Sequence, residues 1–404
     1  MGLTDRSAPH RISFGTVLTV AMMAGTFPGY VFGVFGPQLI DEFDLTRVQL
    51  GLLTAVFFLV GGTLSLSAGH AVDRYGARRV MLTSFALVAA ALVAIAAAGS
   101  YAVLLAAAAG AGLALATGNP VTNKLIATHV GVGRRGLIMG SKQAGVQLGA
   151  FLAGAILVPV AVQIGWREAL IWCASAPLVA FVITMRTVPS DRLTETADRG
   201  GSHPRMGSGL RRLALYAFLM GGGIASVNTY LPLYLVERAG ASAAEAGFAV
   251  AVVGLVGIVG RVILGVWSER VSSYPRTLTV LAVGAVTAVL MLAIAAQLGL
   301  WIAFVAAALI GATAMTWNSV GMLAVLSLSG AGNAGRASGI VLFGFYIGFV
   351  ASPVLFGYLV DWLGNYGWAW LLVAALFGLA AAVGAEMASS MRAERQVSGS
   401  RLLQ

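Results

Sequence analysis

Twelve apolar stretches, each close to 20 residues long and free of acidic side chains, run along this chain. About 20 apolar residues is the length that an α-helix needs to cross the hydrocarbon core of a bilayer. Helices satisfy all their backbone hydrogen bonds internally, as lipid requires. We therefore predict an all-α integral membrane protein with twelve transmembrane helices, near 13–37, 48–69, 80–98, 102–127, 136–163, 168–187, 213–236, 246–267, 277–298, 300–328, 337–360 and 367–385.

Composition excludes an ordinary soluble protein. Hydrophobic residues make up 59% of the 404 residues and charged residues only 10%, whereas soluble domains carry about 25% charged residues. The one cysteine, Cys173, excludes an intramolecular disulfide. The sequence is therefore that of a polytopic membrane protein without a disulfide framework.

The distribution of arginine predicts the orientation of the chain. One set of loops and tails holds most of the arginines, and the other set holds only Arg47, Arg167 and Arg238. By the positive-inside rule, both termini are expected in the cytoplasm and the protein in the inner (plasma) membrane. Contact with anionic lipids accounts for the net charge of +10. No basic patch with groove-reading elements indicates a nucleic-acid partner.

A polar segment divides the chain into two similar parts. Residues 188–210 are rich in Pro, Gly and Ser, which predicts a cytoplasmic linker between a six-helix bundle (1–187) and a second one (211–404) with a short cytoplasmic tail. The two parts show ordered self-similarity. At an offset of 196, matches pair Gly51, Gly61, Gly69 and Arg74 with Gly247, Gly257, Gly265 and Arg270; at 203, they pair Gly136, Gly145 and Gly154 with Gly339, Gly348 and Gly357.

Two parallel six-helix halves suit a carrier in which one half rocks against the other around a central site. The stretch GHAVDRYGARRV at 69–80 resembles the cytoplasmic signature of the major facilitator superfamily, and GRVILGVWSER at 260–270 resembles its repeat in the second half. The resemblance covers essentially the whole chain. It implies a gate at that surface; a positively charged tether is the alternative. The expected gating residues are Gly69, Asp73, Arg74, Gly76, Arg78, Arg79, Gly265, Glu269 and Arg270.

Two cations lie well inside predicted helices, Lys142 and Arg261. A charge at mid-bilayer costs about 2.5–3.5 kcal/mol and usually faces a cavity or a partner. All 15 acidic residues lie outside the predicted spans, so an anionic substrate is expected to supply the negative charge. The alternatives are that Lys142 extends to the interface, and that Arg261 pairs with Glu269 or caps backbone carbonyls. Lys124 lies nearer the membrane edge.

Neutral polar and aromatic residues in the spans complete the expected substrate-binding set. Interhelical hydrogen bonds would explain any single amide equally well. Besides the two cations, the set contains Tyr30, Asn119, Asn123, Gln143, Gln147, Asn228, Tyr230, Trp317, Asn318 and Tyr346.

Two branches of the superfamily are similar in detail. RRGLIMGSKQAGVQLG at 134–149 resembles cyanate-permease-like carriers. The Asn119–Pro120 pair and GWR at 165–167 resemble monocarboxylate porters, in which a substrate-binding Arg lies four residues before a Gly, as Arg261 does before Gly265. Those porters carry an acidic residue where this chain has Gly257. Their proton-relay mechanism therefore does not carry over directly.

We expect a monomeric secondary active transporter that moves a small organic anion, with monocarboxylates as candidates, by alternating access. Proton symport, uniport and exchange remain open, so protons are a second candidate partner. Export of amphipathic compounds is the alternative. An enzyme is not expected, because the four histidines are scattered and no HExxH spacing occurs. No cofactor and no metal site are predicted.

Overall fold

The structure, a computed structural model, describes residues 8–131, 135–188, 207–270, 274–329 and 334–401, and these residues form helices and short connections. The first half contains α1 (Ala8–Val34), α2 (Arg47–Tyr75), α3 (Ala77–Ala96), α4 (Tyr101–His129), α5 (Arg135–Leu152, a π-helical turn Ala153–Leu157, then Val158–Ile164) and α6 (Trp166–Cys173 and Ser175–Thr187). The second half contains α7 (Ser208–Arg238), α8 (Ala243–Arg270), α9 (Tyr274–Ala293), α10 (Leu300–Ala312 and Trp317–Ser329), α11 (Ala334–Leu363) and α12 (Tyr366–Arg401). Short helices, Gly36–Phe43 and Ala295–Leu298, lie in the connections.

All twelve predicted spans coincide with helices that are long and apolar enough to cross a membrane. Large apolar side chains such as Trp301, Trp362 and Trp368 point outward with more than half of their surface exposed. A lipid environment accepts such side chains without cost. The predicted all-α membrane fold with two six-helix halves is confirmed.

The two halves repeat the same helix contacts. In α5, a Cβ atom at Gly145 would collide with the Thr19 carbonyl of α1; in α11, a Cβ at Gly348 would collide with the Phe218 carbonyl of α7. Glycine at these positions lets two helix backbones approach closely. The sequence repeat at an offset of 203 therefore corresponds to equivalent packing in the two halves.

Several helix boundaries differ from those predicted. Helix α10 is interrupted at residues 313–316, and α12 runs on to Arg401 where we expected a tail. Most of the predicted linker, residues 189–206, lies outside the described residues, and α7 already begins at Ser208. At the interruption, Thr316 donates its hydroxyl to the Ala312 and Thr313 carbonyls.

Successive spans run in opposite directions, so their ends and connections lie on two opposite faces of the molecule. The linker face carries the ends of α2, α4 and α6 and the start of α7; the opposite face carries the start of α2 and the ends of α7 and α11. At the start of α2, Thr46 and Gln49 form a reciprocal capping box. Glycines with positive φ, Gly76 at 86° and Gly165 at 98°, allow α2 and α5 to turn sharply into the next helix.

Candidate functional site

A cavity of about 90 Å³ lies between the two halves. A buried water needs about 10–15 Å³ of such volume, so the cavity has room for roughly six to nine waters, or for one small solute. Nine of the twelve predicted substrate-binding residues line it: Tyr30, Asn119, Gln143, Gln147, Asn228, Arg261, Trp317, Asn318 and Tyr346. None of the described residues that line it is acidic.

Within the part of the chain that the structure describes, Arg261 is the only charged residue that lines the cavity. Its Nε donates to the Met315 carbonyl at 2.9 Å, and its Nη1 donates to the Gln143 carbonyl at 2.7 Å. These bonds fix the plane of the guanidinium, while Nη2 has no hydrogen-bond partner among the described residues. A guanidinium has five N–H donors and binds carboxylates well. The cavity therefore has a fixed cationic donor without a fixed counter-charge.

The interruption in α10 helps to hold Arg261. Met315 lies in this irregular segment, where its carbonyl is available to accept from Arg261. Irregular backbone at membrane depth is tolerated where it is buried in protein or lines a cavity. Sequence analysis missed the role of this segment. The expectation that Arg261 caps backbone carbonyls and the expectation that it faces a substrate site are thus compatible.

Lys142 does not line the cavity. Its side chain is fully buried, and its Nζ donates to Thr122 Oγ1 at 2.9 Å, Asn119 Oδ1 at 3.3 Å and Asn123 Oδ1 at 2.5 Å. Three neutral oxygens of α4 thus match the three donors of the ammonium. The hypothesis that a substrate must neutralise Lys142 directly therefore lacks support from its position, and so does extension of the side chain to the interface.

Asn119 lies between Lys142 and the cavity. Its side-chain oxygen accepts from Lys142, while the residue lines the cavity and lies close to the Tyr346 hydroxyl of α11. With its oxygen engaged by Lys142, Asn119 can donate only through its amide nitrogen, and the Tyr346 hydroxyl is the acceptor nearby. Asn123, one helical turn further on, bonds Lys142 but does not line the cavity.

The remaining wall of the cavity is aromatic. Phe58 of α2 contacts Phe349 with ring centroids 4.1 Å apart, and Phe349 contacts Phe345 at 4.7 Å. Trp317 extends this cluster, at 5.5 Å from Phe345. The amides Gln143 and Gln147 lie on α5, the helix whose Gln143 carbonyl holds Arg261. The cavity is therefore amphipathic, with a polar side at α5 and α8 and an aromatic side at α2, α10 and α11.

Tyr230, another predicted substrate contact, lies outside the cavity lining. Its hydroxyl is within hydrogen-bond distance of two carbonyls, Arg47 at 2.6 Å and Pro353 at 2.8 Å. Its ring stacks on Phe356 with centroids 4.4 Å apart. Tyr230 therefore ties α7, α2 and α11 together at the opposite face, and its position gives it a structural role.

The opposite face is closed by charged groups that belong to different halves. Arg47 of α2 bonds Glu237 of α7 at 2.9 Å, and Asp361 of α11 accepts the backbone N–H groups of Arg47 and Val48 at 3.2 and 2.9 Å. The Tyr366 hydroxyl donates to Glu237 at 2.9 Å. Sequence analysis missed this cluster. The one available signal was that Arg47 is among the few arginines on that side.

The predicted gating motif makes its observed contacts within the first half. Asp73 pairs with Lys124 at 2.8 Å, and Arg78 donates to the Met185 carbonyl. Arg74 lies over the Tyr75 ring, the Arg79 carbonyl accepts from Thr83, Gly76 forms the turn, and Gly69 has open space around its Cα. Gly265 lies in α8, and the side chains of Glu269 and Arg270 lie outside the described part of the structure.

Within the described ranges, no group of three or more His, Cys, Asp and Glu side chains is placed to hold a metal ion.

Comparison with known proteins identifies relatives over most of the chain. Residues 14–347 match the sequence family described as Major Facilitator Superfamily. The chain is similar to a probable sulfoacetate transporter, SauU, of Cupriavidus necator, with 26% identity over 86% of this chain and 87% of that protein. It is also similar to the uncharacterised transporter Rv2994 of Mycobacterium tuberculosis, with 30% identity over 78% of this chain and 71% of that protein.

The fold resembles a solved structure. A bacterial homologue of the human lysosomal transporter Spinster, in an inward-facing and occupied conformation, superimposes with a TM-score of 0.77 over 94% of this chain and 97% of that one, at 17% sequence identity.

Proposed function

Since the chain belongs to the major facilitator superfamily, we propose that it is a secondary active transporter that carries a small organic anion across the membrane. The observation that carries this proposal is the position of Arg261, a fixed cation in a central cavity whose lining contains no acidic residue. An anion that enters would provide the missing negative charge through charge-assisted hydrogen bonds, which are about twice as strong as neutral ones.

The two faces support alternating access. On the opposite face, Arg47, Glu237 and Asp361 connect the halves. On the linker face, the contacts of Asp73 and Arg78 stay within one half. By the positive-inside rule the linker face is cytoplasmic and the membrane is the inner (plasma) membrane. We infer that the cavity is closed toward the outside. Transport then requires the contacts among Arg47, Glu237 and Asp361, the Arg47 cluster, to break.

The cavity volume and one relative support a small anion. A volume of about 90 Å³ suits a small solute, and monocarboxylates remain the first candidates. SauU carries the name of a sulfoacetate transporter, and sulfoacetate is a small organic anion. No carboxylate in the described cavity lining is available to relay a proton. Uniport and exchange need no such group, whereas symport with a proton would need another route for the proton.

Export of amphipathic compounds is the second candidate, favoured by the aromatic wall of Phe58, Phe345, Phe349 and Trp317. A cationic drug is poorly suited to this cavity, because Arg261 would repel it. An amphipathic anion would fit both the aromatic wall and the guanidinium. The two candidates therefore differ in what the cavity recognises, an anionic group or an apolar body.

Ligand-dependent thermal stability of the purified protein tests the proposal. A ligand that binds only the folded state raises the melting temperature. We expect propionate or sulfoacetate to stabilise the parent protein and Arg212→Gln, a control at an arginine paired with Glu386 outside the cavity. Arg261→Gln should lose this stabilisation. Stabilisation by a neutral amphipathic dye such as Nile red, with none by either anion, would instead support export of amphipathic compounds.

A further inference from the structure

The cavity contains a buried acceptor without a partner. Gln147 lines the cavity with only 2% of its surface exposed, and its Oε1 has no hydrogen-bond partner among the described residues. A buried polar atom left without a hydrogen bond costs about 1–3 kcal/mol. Such a group in a binding cavity indicates that the ligand supplies the missing partner.

Three further amides line the cavity but are only part-buried. The side chains of Gln143, Asn228 and Asn318 line the cavity and have no hydrogen-bond partner among the described residues, unlike Asn119, whose oxygen accepts from Lys142. Each amide presents one oxygen that accepts and one nitrogen that donates. Exchanging the oxygen and the nitrogen of a side-chain amide would still leave one acceptor and one donor without a partner. The conclusion therefore does not depend on which atom is assigned as oxygen.

A carboxylate satisfies only part of this set. An ionised carboxylate accepts hydrogen bonds and donates none. It therefore matches the Arg261 guanidinium, the Tyr30 hydroxyl and the amide nitrogens, all of which are donors. The buried oxygen of Gln147 needs a donor, and a simple monocarboxylate has none.

The donor on the ligand is best supplied by hydroxyl groups. An ammonium group would also donate, but Arg261 repels it and the cavity lining has no acidic residue to pair with it. Hydroxyl groups donate without charge. The C–H face of a hydroxylated chain or ring also packs well against aromatic rings, which Phe58, Phe345 and Phe349 provide.

We propose that the cavity binds a polyhydroxylated monocarboxylate, a small sugar acid, with its carboxylate on Arg261 and a hydroxyl group donating to Gln147. This inference rests on the proposed transport of an organic anion and names the class of that anion. The volume of about 90 Å³, roughly six to nine waters, suits such acids of about three to six carbons.

Two pairs of acids with the same carbon chain test the inference. Glycerate and propionate have three carbons, gluconate and hexanoate have six, and only the first of each pair carries hydroxyl groups. We expect the parent protein to bind glycerate and gluconate at least about tenfold more tightly than propionate and hexanoate, because sites with unpaired polar groups reject ligands that cannot bond them. The dissociation constants are measured by isothermal titration on the purified full chain.

Two glutamine variants identify the residue. Gln147→Met keeps the size of the side chain and removes the acceptor, so the preference for the hydroxylated acids should fall several-fold. Gln38→Met is the matched control, because Gln38 also has an unpartnered buried oxygen but lies outside the cavity lining; the preference should persist. Unchanged hexanoate affinity shows that Gln147→Met folds. If this variant fails to fold, Asn318→Leu is measured instead, with the same expectation.

The outcomes separate the two proposals. Equal affinities within each pair, or an unchanged preference in Gln147→Met, would overturn the inference and leave anion transport standing. If none of the four acids binds the parent protein but sulfoacetate does, the inference is overturned and anion transport stands. If sulfoacetate fails to bind as well, the proposed transport of an organic anion is itself overturned.

Discussion

Asp361 of one half caps the first turn of α2 in the other half, accepting the backbone N–H of Arg47 at 3.2 Å. Its second oxygen accepts the N–H of Val48 at 2.9 Å. The first N–H groups of a helix have no intrahelical partner, and a carboxylate also interacts favourably with the positive end of the helix dipole. Because this cap lies between the halves, it must break whenever the opposite face opens.

Neutralising Asp361 should weaken closure of the opposite face. Hydrogen bonds to charged groups contribute about 1.5–3 kcal/mol, and Asp361 retains 23% side-chain exposure, so we expect the low end for Asp361→Asn. That corresponds to about a tenfold rise in the population open at that face. Spin labels on the two halves at the opposite face, in a Cys173→Ala background, report the distance change by electron spin resonance.

Asp41→Asn is the control, because Asp41 is exposed on the same face and lies outside the Arg47 cluster. It should leave the label distances unchanged. Identical distance distributions in Asp361→Asn and the parent protein would show that the cap does not hold the face closed.

Gly51→Ala should separate the same face by steric conflict. A Cβ atom at Gly51 would lie 2.5 Å from the Pro353 carbonyl and 2.6 Å from the Tyr230 hydroxyl. Overpacking of this kind costs about 1–3 kcal/mol. In α12, Gly378 has open space around it, so Gly378→Ala serves as the control with unchanged distances. Label distances at the opposite face measure both variants, and a Gly51→Ala protein as closed as the parent would contradict the packing argument.

Sequence patterns predicted most of the residues that line the cavity, but they could not show which polar residues line it and which lie behind its wall. Polar side chains in transmembrane helices avoid lipid, which is why Tyr30, Gln143 and Gln147 were predicted to face inward and do line the cavity. The same rule applies to Lys142, yet three oxygens of a neighbouring helix hold it behind Asn119. Helical spacing indicates a face of a helix and not the partner that the face meets.

The cluster at the opposite face could not be predicted for a related reason. Arg47 and Asp361 are separated by 314 positions in the sequence, and Tyr230 bonds the carbonyls of Arg47 and Pro353. Every residue has a backbone carbonyl, so residue types do not show which carbonyl will accept a hydrogen bond. In contrast, the spans and the repeat were predictable, because apolar length and the spacing of glycines follow directly from bilayer thickness and helix packing.

Lys142→Met should weaken anion binding much less than Arg261→Gln does. Lys142 bonds Asn119 but does not line the cavity, so removing the ammonium changes only the orientation of the Asn119 amide at the cavity. We therefore expect the affinity for the anion to fall less than tenfold. Loss of the Arg261 guanidinium removes charge-assisted bonds of about 1.5–3 kcal/mol, or about ten- to hundredfold. Titration of gluconate against both variants measures the difference, and equal losses would place Lys142 in direct contact with the ligand.

Stability at acid pH should depend on Glu42, which lies in the short helix Gly36–Phe43. Burial raises the pKa of Glu42, but hydrogen bonds from Arg167 and Trp166 outweigh it and hold the pKa below its usual range. A carboxyl whose folded pKa is lowered stabilises the protein above its unfolded pKa, about 4.3, and loses that contribution as pH falls through the folded value.

Glu42→Gln should therefore lower the melting temperature slightly at pH 7 and flatten its decline below about pH 4.3, since such exposed pairs contribute only about 0–1 kcal/mol. Melting temperatures between pH 3 and pH 7 provide the measurement, with Asp41→Asn as the charge-matched control. Parallel curves for Glu42→Gln and the parent protein would show that the pair with Arg167 does not contribute.

Anion flux in proteoliposomes tests most directly whether Arg261 makes the cavity an anion site. The parent protein and Arg212→Gln are each reconstituted, and uptake of radiolabelled gluconate and propionate is followed against empty vesicles. We predict saturable uptake of at least one of the two acids by both proteins, and uptake reduced at least about tenfold in Arg261→Gln, whose folding is checked by its melting temperature. Equal uptake by a folded Arg261→Gln protein and the parent would contradict the assignment.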